Sequence, residues 1–475
     1  MDKAILESEL KVKDLKTVGF SIDKVCQLFF YEDRVFRAIN TPYEAQVQEM
    51  FSCGMIQELI DKNLLINSWI TDVKIEGFNL VVEHQRVSFW NYPYEWSFSM
   101  LKDAANTVLT ISEIAQSYNF ELFDVHSHNV VFDMGTPKFI DLGSFFRKDP
   151  NDGKSWTGYL SFYNAFYIPT YLYTKGYSDL PQSIQLFHGY YNEKDFFNLR
   201  FKYATFFGSW LSNLVFKFYF NARKLANARH FRVVEKFGKH KYSQYILFFK
   251  NNFQNIFSIK KARRLMKGLK NSKFDSYWMN YHNEIDPATN KRFQRITELF
   301  NTDLKDAKSL IELASNQGKF ANHLLANSQI DKVIATDYDK NAVDAIYKNN
   351  KGSDNVLPLV YDFVRPNGRI TDTRIQDRIK ADVVMALAVT HHLILTQEIG
   401  LKHIFSILES LSDTYVVVEF MPLGLYAGDL KTTPPVPDFY TLAWFKEAFS
   451  AHFDYHLDEE LEINRHLFIG KVKKS

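Results

Sequence analysis

The spacing of apolar positions changes several times along the chain. Residues 17 to 40 read as extended, with "VCQLFFYED" and "RVFRAIN" as β-rich runs joined by a Glu-Asp turn. "YEAQVQEMFSCGMIQELIDK" then takes helical spacing, opened by Thr41-Pro42 at the N-cap and first helical positions. "ITDVKIEG" and "FNLVVEHQRVSF" return to the extended pattern, and residues 97 to 118 are again helical. From about 155 to 275 the pattern is mainly helical and heavily aromatic. Beyond about 288, helices alternate with the apolar runs "SLIELA", "KVIATD", "VLPLVYD", "DVVMALA" and "YVVVEF". That alternation predicts a parallel sheet built from βαβ units. The chain holds no internal repeat and no low-complexity linker.

At 475 residues the chain exceeds one ordinary core, so two or three domains are expected. Its 43 Phe and 26 Tyr are accounted for by bulky core packing. Cys26 and Cys53 are the only cysteines, which excludes a disulfide framework or a zinc cluster. The start, "MDKAILESELKVKDLK", is charged from its second residue, and no run reaches the roughly 18 apolar residues of a spanning helix. A soluble, cytoplasmic protein is the expectation.

The net charge of +2 conceals a segregation. Between Lys217 and Lys273 stand sixteen Lys or Arg and one acidic residue, Glu235, so the rest of the chain is net acidic. Within the run, positive charge interleaves with Phe and Tyr. Three readings stay open: amphipathic helices with solvated lysines, docking to an anionic membrane surface or a lipid-phosphate-linked glycan, and RNA binding.

Candidate chemistry is clearest after 288. In "SLIELASNQGKFANHLL" a β-run ends at Glu312, a short turn holds Ala314, Asn316 and Gly318, and a helix begins. A doubly wound sheet binds nucleotide-like cofactors at such a place, where small residues admit the backbone and helix-start amides face the ligand. The second strand ends in Asp337, nineteen residues after Gly318, where a carboxylate can accept ribose hydroxyls. The third ends in "VYDF", placing Asp362 and Phe363 for an adenine edge and face. His391 and His392 follow the fourth strand and Glu419 ends the fifth. Each is a candidate base for an in-line transfer.

These residues resemble the class I S-adenosylmethionine-dependent methyltransferases, in particular the group related to the nodulation host-specificity methyltransferases of rhizobia. That group's first motif typically reads "DLGANTG". Asn316 and Gly318 match it, Glu312 keeps the charge of its Asp, and Ala314 stands at its first Gly. "LAVTHHL" and "VEFMP" also fit the group. The resemblance covers about 288 to 475 and implies a Rossmann-like domain with S-adenosyl-L-methionine as cofactor.

A second constellation lies in "FDVHSHNVVFDMGTPKFIDLGSF". Asp124 is followed five positions later by Asn129, and Asp141 precedes Leu-Gly. In protein kinases these spacings belong to the acceptor-orienting Asp and the two metal-holding residues. Arg37, in "RVFRAI", occupies the position of the kinase lysine. Leu122 replaces the usual His, and the region before Arg37 holds Gly19 but no glycine loop. Residues 15 to 270 thus resemble a degenerate α+β kinase-like fold, a partner segment also found in the nodulation-related group.

The expected organisation is a kinase-like region over 1–154, a helical, aromatic and basic extension over 155–287, and a methyltransferase domain over 288–475. The expected function is O-methylation of a cell-surface glycan or its lipid-linked precursor, a polysaccharide modification. Alternatives are a bifunctional kinase-methyltransferase using Mg-ATP at the first region, and an RNA methyltransferase.

Overall fold

The computed structural model describes residues 9–17, 23–148, 155–177, 179–186, 196, 214, 258–271, 286–366, 368, 372–426 and 428–473. The chain divides into two compact units. The first comprises Met1–Val87, Leu101–Val131 and Pro137–Ser272; the second comprises Ser88–Met100, Phe132–Thr136 and Lys273–Ser475. The segments 88–100 and 132–136, expected in the N-terminal region from their place in the sequence, therefore belong with the C-terminal sheet.

In the first unit, β1 (Lys16–Thr17), β2 (Cys26–Tyr31), β3 (Arg34–Ile39), β4 (Ser68–Ile70) and β5 (Leu80–His84) form an antiparallel sheet in the order β1-β2-β3-β5-β4. The Glu32-Asp33 turn joins β2 to β3 as expected. Three expectations differ. The helical run is two helices, α1 (Glu44–Ser52) and α2 (Met55–Asp61), because Gly54 at φ +87° interrupts it. Its leading turn is a 3-10 turn, Thr41–Tyr43, with Asn40 rather than Thr41 at the cap. Of "ITDVKIEG", only Ile70 lies in a strand, while Ile75 makes isolated bridges to Leu10 and Phe78. Helix α3 (Phe98–Ser117) then leads to β6 (Phe120–Leu122) and the pair β7 (Val130–Asp133) and β8 (Thr136–Phe139), followed by β9 (Phe145–Arg147). Helices α4 (Tyr159–Phe162), α5 (Ile168–Thr174) and α6 (Leu180–Leu186) follow; a π-helical segment, Tyr163–Tyr167, joins the first two.

The basic stretch falls largely outside the described residues. Its described part is α7 (Ile259–Lys267), which buries Ile259, Ala262 and Met266 and leaves Lys260 and Arg264 exposed. Arg263 pairs with Glu113 at 2.7 Å. These nine residues form an amphipathic helix, which contains none of the aromatics of the run. Among the described residues no helix is long and apolar enough to cross a membrane. Both cysteines are free thiols, Cys26 buried and Cys53 exposed.

The second unit is a doubly wound α/β domain. It begins with α8 (Lys291–Thr302) and continues β10 (Ser309–Leu313), α9 (Lys319–Asn327), β11 (Lys332–Asp337), α10 (Lys340–Asn349) and β12 (Val356–Val360). After α11 (Ile375–Arg378) come β13 (Ala381–Ala386), α12 (Thr390–Gln397), α13 (Leu401–Leu411) and β14 (Ser412–Phe420). Helix α14 (Leu442–His452) precedes β15 (Phe453–Glu462) and β16 (Arg465–Val472). The sheet order is β12-β11-β10-β13-β14-β16-β15. The first five strands are parallel, and β16 runs antiparallel to both β14 and β15. β12 is buried along its whole length and β13 nearly so, as a sheet covered on both faces requires. All five strand candidates are observed, whereas the closing hairpin is an addition that the apolar runs did not announce.

Two packing features matter for the site. Between α13, α14 and the β14–β16 edge, Phe405, Phe445, Phe449, Phe453 and Phe468 interlock with ring centroids 5.0–5.8 Å apart. Gly470 admits them: a Cβ there would lie 2.7 Å from both Phe449 and Phe453. On the other side, residues 88–100 form a strap bound to the helices of the same unit. Glu95 takes a two-pronged ion pair from Arg378, whose guanidinium also donates to the Trp90 carbonyl and lies 4.5 Å over the Tyr92 ring. Asp344 accepts from Ser97 Oγ at 2.9 Å and Ser99 N at 2.7 Å.

Candidate active site

The turn that leaves β10 carries the first half of the site. Ala314, Asn316 and Gly318 all have left-handed backbones, at φ +53°, +52° and +68°. Left-handed conformations at non-glycine residues are costly and cluster at ligand clamps. Here the geometry is enforced by the neighbouring strand: Ser315 N donates to the Thr336 carbonyl at 2.8 Å, and Asn316 N to Asp337 Oδ2 at 2.9 Å. Gly318 lies outside the cleft wall. It starts α9, and a Cβ would approach Ile346 to 3.2 Å, so its role is conformation and close helix packing.

A cleft of about 410 Å³ opens at the carboxyl ends of β10, β11, β12 and β13. That volume is in the ~300–1,000 Å³ range of small-molecule sites. Ala314, Asn316, Asp337, Asp362, Phe363, His391 and His392 all line it, as expected from their strand-end positions. A smaller recess of about 50 Å³ adjoins it, lined by Glu312, Arg292, Lys319 and Phe320 and sharing Ala314, Asn316 and Ala388 with the cleft.

The acidic residues differ in state. Asp337 Oδ1 accepts Asp339 N at 2.8 Å while Oδ2 holds Asn316 N, so part of its capacity maintains the turn. Burial pushes its carboxyl up to about 7 despite these amides. Glu312 is more extreme: its Oε2 is buried with no partner, and burial pushes its carboxyl up to about 8. A recess-lining carboxyl with one unpaired oxygen suits an ammonium group, and the cationic Lys319 in the same recess suits a carboxylate. The donor set therefore fits the aminoacyl end of S-adenosylmethionine. Asp337, with the aromatic faces of Tyr338 and Phe363, fits its nucleoside end. Asp362 Oδ1 accepts from the Val364 and Arg365 amides, both at 3.2 Å, which fixes the loop after β12.

The histidines form the other end. His391 and His392 open α12 with ring centroids 4.1 Å apart. His391 is 5% exposed and its Nδ1 is buried without a partner. Burial, then the His392 and Arg465 charges, push it down to about 3, so the ring is neutral at physiological pH. Burial also lowers His392. A neutral imidazole with an open nitrogen is a proton acceptor.

Glu419 does not join them in the cleft wall. It is 0% exposed, and its carboxylate takes Arg292 Nε at 2.5 Å, Arg292 Nη2 at 2.7 Å, Arg465 Nη1 at 3.2 Å and Ala388 N at 2.9 Å. Fully buried, outside the cleft lining and with both oxygens held by arginines, it is badly placed to take a substrate proton. This corrects its candidacy as a base. Conversely, Tyr338, Tyr361, Met421 and Arg465 line the cleft without having been singled out. Tyr338 had a signal, since it directly follows the strand-end acid. Arg465 had none.

In the first unit the second constellation also converges. Arg37, on β3, donates to Asp141 Oδ1 at 2.6 Å, Asp23 Oδ2 at 3.3 Å, Cys26 Sγ at 3.0 Å and the Ile140 carbonyl at 3.1 Å. Ser144 Oγ donates to Asp141. Asn129 Nδ2 donates to the Asp124 carbonyl at 3.1 Å, and the Asp124 side chain is exposed. Gly19 lies outside the described residues.

No family model matches the chain. Nodulation protein NoeA of Rhizobium meliloti (strain 1021) is 25% identical over 427 residues, covering 86% of this chain and 85% of that protein. Among solved structures, the PH0226 protein from Pyrococcus horikoshii OT3 aligns with a TM-score of 0.32 and 14% identity, over 42% of this chain and all of its own. The N-methyltransferase NodS from Bradyrhizobium japonicum WM9 gives 0.27 and 11%, over 38% of this chain and 96% of its own. A SAM dependent methyltransferase from Aquifex aeolicus gives 0.29 and 14%, over 42% and 100%.

Proposed function

We propose that this S-adenosylmethionine-dependent methyltransferase transfers its methyl group to a hydroxyl of a cell-surface glycan or its lipid-linked precursor. We assign the reaction to the carboxyl ends of β10 to β13, a reading supported by the cleft that opens there. The observation that carries the reading is the cleft itself, which brings acids, aromatics and the His391–His392 pair together in one lining. When bound, the cofactor supplies a methyl group on a sulfonium. Asp337, Glu312, Tyr338 and Phe363 bind and orient it. His391 Nδ1, neutral and shielded from water, accepts the hydroxyl proton as the oxygen becomes a nucleophile, with His392 as the neighbouring alternative. The glycan as acceptor is supported by the likeness to the nodulation-related group and by no side chain of the cleft.

Two measurements test this. Asp337→Ala should weaken S-adenosylmethionine binding in calorimetry by about 1.5 kcal/mol or more, the scale of lost hydrogen bonds to a charged group. Of His391→Ala and His392→Ala, one should lower turnover on a nodulation-type oligosaccharide about a hundredfold at unchanged cofactor affinity. Normal turnover in both would remove the histidines from the chemistry.

In this reading the first unit is a degenerate kinase-like scaffold or acceptor-binding module. What supports it is the Arg37–Asp141 pair: the carboxylate that a kinase uses for metal is held by a guanidinium. A peripheral position at the inner face of a membrane, through residues 217–273, remains a proposal resting on their charge. The bifunctional alternative requires that magnesium-ATP stabilise the protein and that acceptor-dependent ADP release vanish in Asp124→Ala. The RNA alternative requires that RNA compete with the basic run's binding to anionic vesicles.

A further inference from the structure

A carboxylate buried to 0% exposure and shared by two arginines is a costly construction unless it fixes something. Each partner of Glu419 comes from a different part of the second unit. Arg292 lies on α8 and lines the small recess beside Glu312; Arg465 opens β16 and lines the cleft near His391. The fourth hydrogen bond goes to the main chain. Ala388 N, in the turn after β13, donates to Glu419 Oε2, and Ala388 sits at φ +51°. Three residues later comes His391. The same turn is held again by Thr390 Oγ1, which donates to the Glu419 carbonyl at 2.6 Å.

We propose that Glu419 is a positioning residue of the methyl-transfer site: its carboxylate holds the Ala388 turn in its left-handed form and so sets where His391 and His392 stand relative to the cofactor recess. The inference rests on the methyltransferase reading for its meaning, but the placement it describes is independent of any acceptor. The physical reasoning is direct. Without a partner for its amide, a left-handed Ala388 has an accessible relaxation to the ordinary right-handed region. Such a flip rotates the start of α12 and carries both imidazoles with it. Through Arg292 the same carboxylate also fixes a wall of the recess, so one side chain registers the two ends of the site against each other. Glu462, 3.3 Å from Arg465, completes the charge balance of the two arginines.

The test uses the full chain with S-adenosylhomocysteine as probe, read by calorimetry, by NMR titration of the histidine rings, and by hydrogen exchange at Ala388 N. Two variants are compared: Glu419→Asp, which keeps the charge but shortens the reach, and Glu419→Gln, which keeps the shape but drops the charge. The expected result for Glu419→Asp is at least tenfold faster exchange at Ala388 N and a His391 titration moved toward the ordinary imidazole range. Adding Ala388→Gly, which adopts positive φ without strain, should bring the His391 titration back toward that of the native protein. Should Glu419→Gln fail to fold, Glu419→Asp alone decides. Unchanged exchange and an unchanged His391 titration in a folded Glu419→Asp protein would overturn the proposal. So would an altered titration that Ala388→Gly leaves untouched. Absence of probe binding to the native protein would instead count against the methyltransferase reading, with the His391 and Ala388 readouts still deciding this one.

Discussion

Glu312 shows how one buried atom links binding to pH. Its carboxyl, pushed up to about 8, holds a proton in the folded protein while the unfolded chain releases it near its ordinary value of 4.5. Between those two values the folded state binds more protons, so stability falls as pH rises from about 4.5 to about 8. An ammonium in the recess favours the ionised form and opposes the loss. Glu312→Gln should therefore raise the melting temperature of the ligand-free protein at pH 8 by several degrees, leave it little changed at pH 4.5, and weaken S-adenosylmethionine binding at least tenfold. Calorimetric scans at the two pH values, with binding isotherms, check all three. His391 works in the opposite sense. Its folded value, down to about 3, lies below the ordinary 6.5, so its contribution is present above pH 6.5 and is lost as pH falls toward 3. If it is the base, the acid limb of turnover should lie well below pH 6 and should move upward in Arg465→Gln, which removes a charge that depresses it.

At the scale of elements, β10 to β14 were legible because each is an apolar run closed by an acid, a small residue or a turn. That Asp337 and Asp362 line the cleft and Glu312 the recess was legible for the same reason, since the ends of such strands border the crevice of the sheet. The hairpin of β15 and β16 was not. β15, "FDYHLDEELE", buries only Phe453, being an edge strand, so it lacks the apolar signature of a covered one. Glu419 misled because a strand-end carboxylate looks alike in sequence whether it faces a cleft or two arginines 127 and 46 residues away. The break at Gly54 was hidden by helical spacing that continues on both sides. Gly470 gives the element-scale prediction. Gly470→Ala should cost about 1–3 kcal/mol by crowding Phe449 and Phe453, seen as a lower denaturant midpoint with little change in slope.

For the whole molecule, the division into units does not follow the order of the sequence. The second unit takes its strap, 88–100, and the short segment 132–136 from the half of the chain that otherwise builds the first. Neither carries a sequence signal for this: Ser97 and Glu95 of the strap meet Asp344 and Arg378, 247 and 283 residues distant, and Gly135 N donates to the Ser353 carbonyl. A fragment of residues 273–475 would lack Glu95, leaving Arg378, 8% exposed in the whole chain, without its ion-pair partner, and Asp344 would keep Lys348 but lose the Ser97 and Ser99 donors. Removing one member of a buried pair costs about 3–5 kcal/mol. The fragment should accordingly be aggregated or molten by circular dichroism and proteolysis, and should be rescued in part by a peptide spanning 88–100. A fragment that folds as well as the intact protein would make the strap dispensable.

The same strap has a consequence for synthesis. Ser97 leaves the ribosome 247 residues ahead of Asp344, which at roughly 5–20 residues per second is a wait of on the order of 10–50 s. Through that interval Tyr92 and Glu95, which Arg378 covers and pairs with in the finished protein, still await that guanidinium. The nascent chain thus presents an aromatic segment to chaperones during every round of translation. Slowing elongation downstream of residue 100 should lengthen that exposure and lower the soluble yield, while the completed protein stays equally stable.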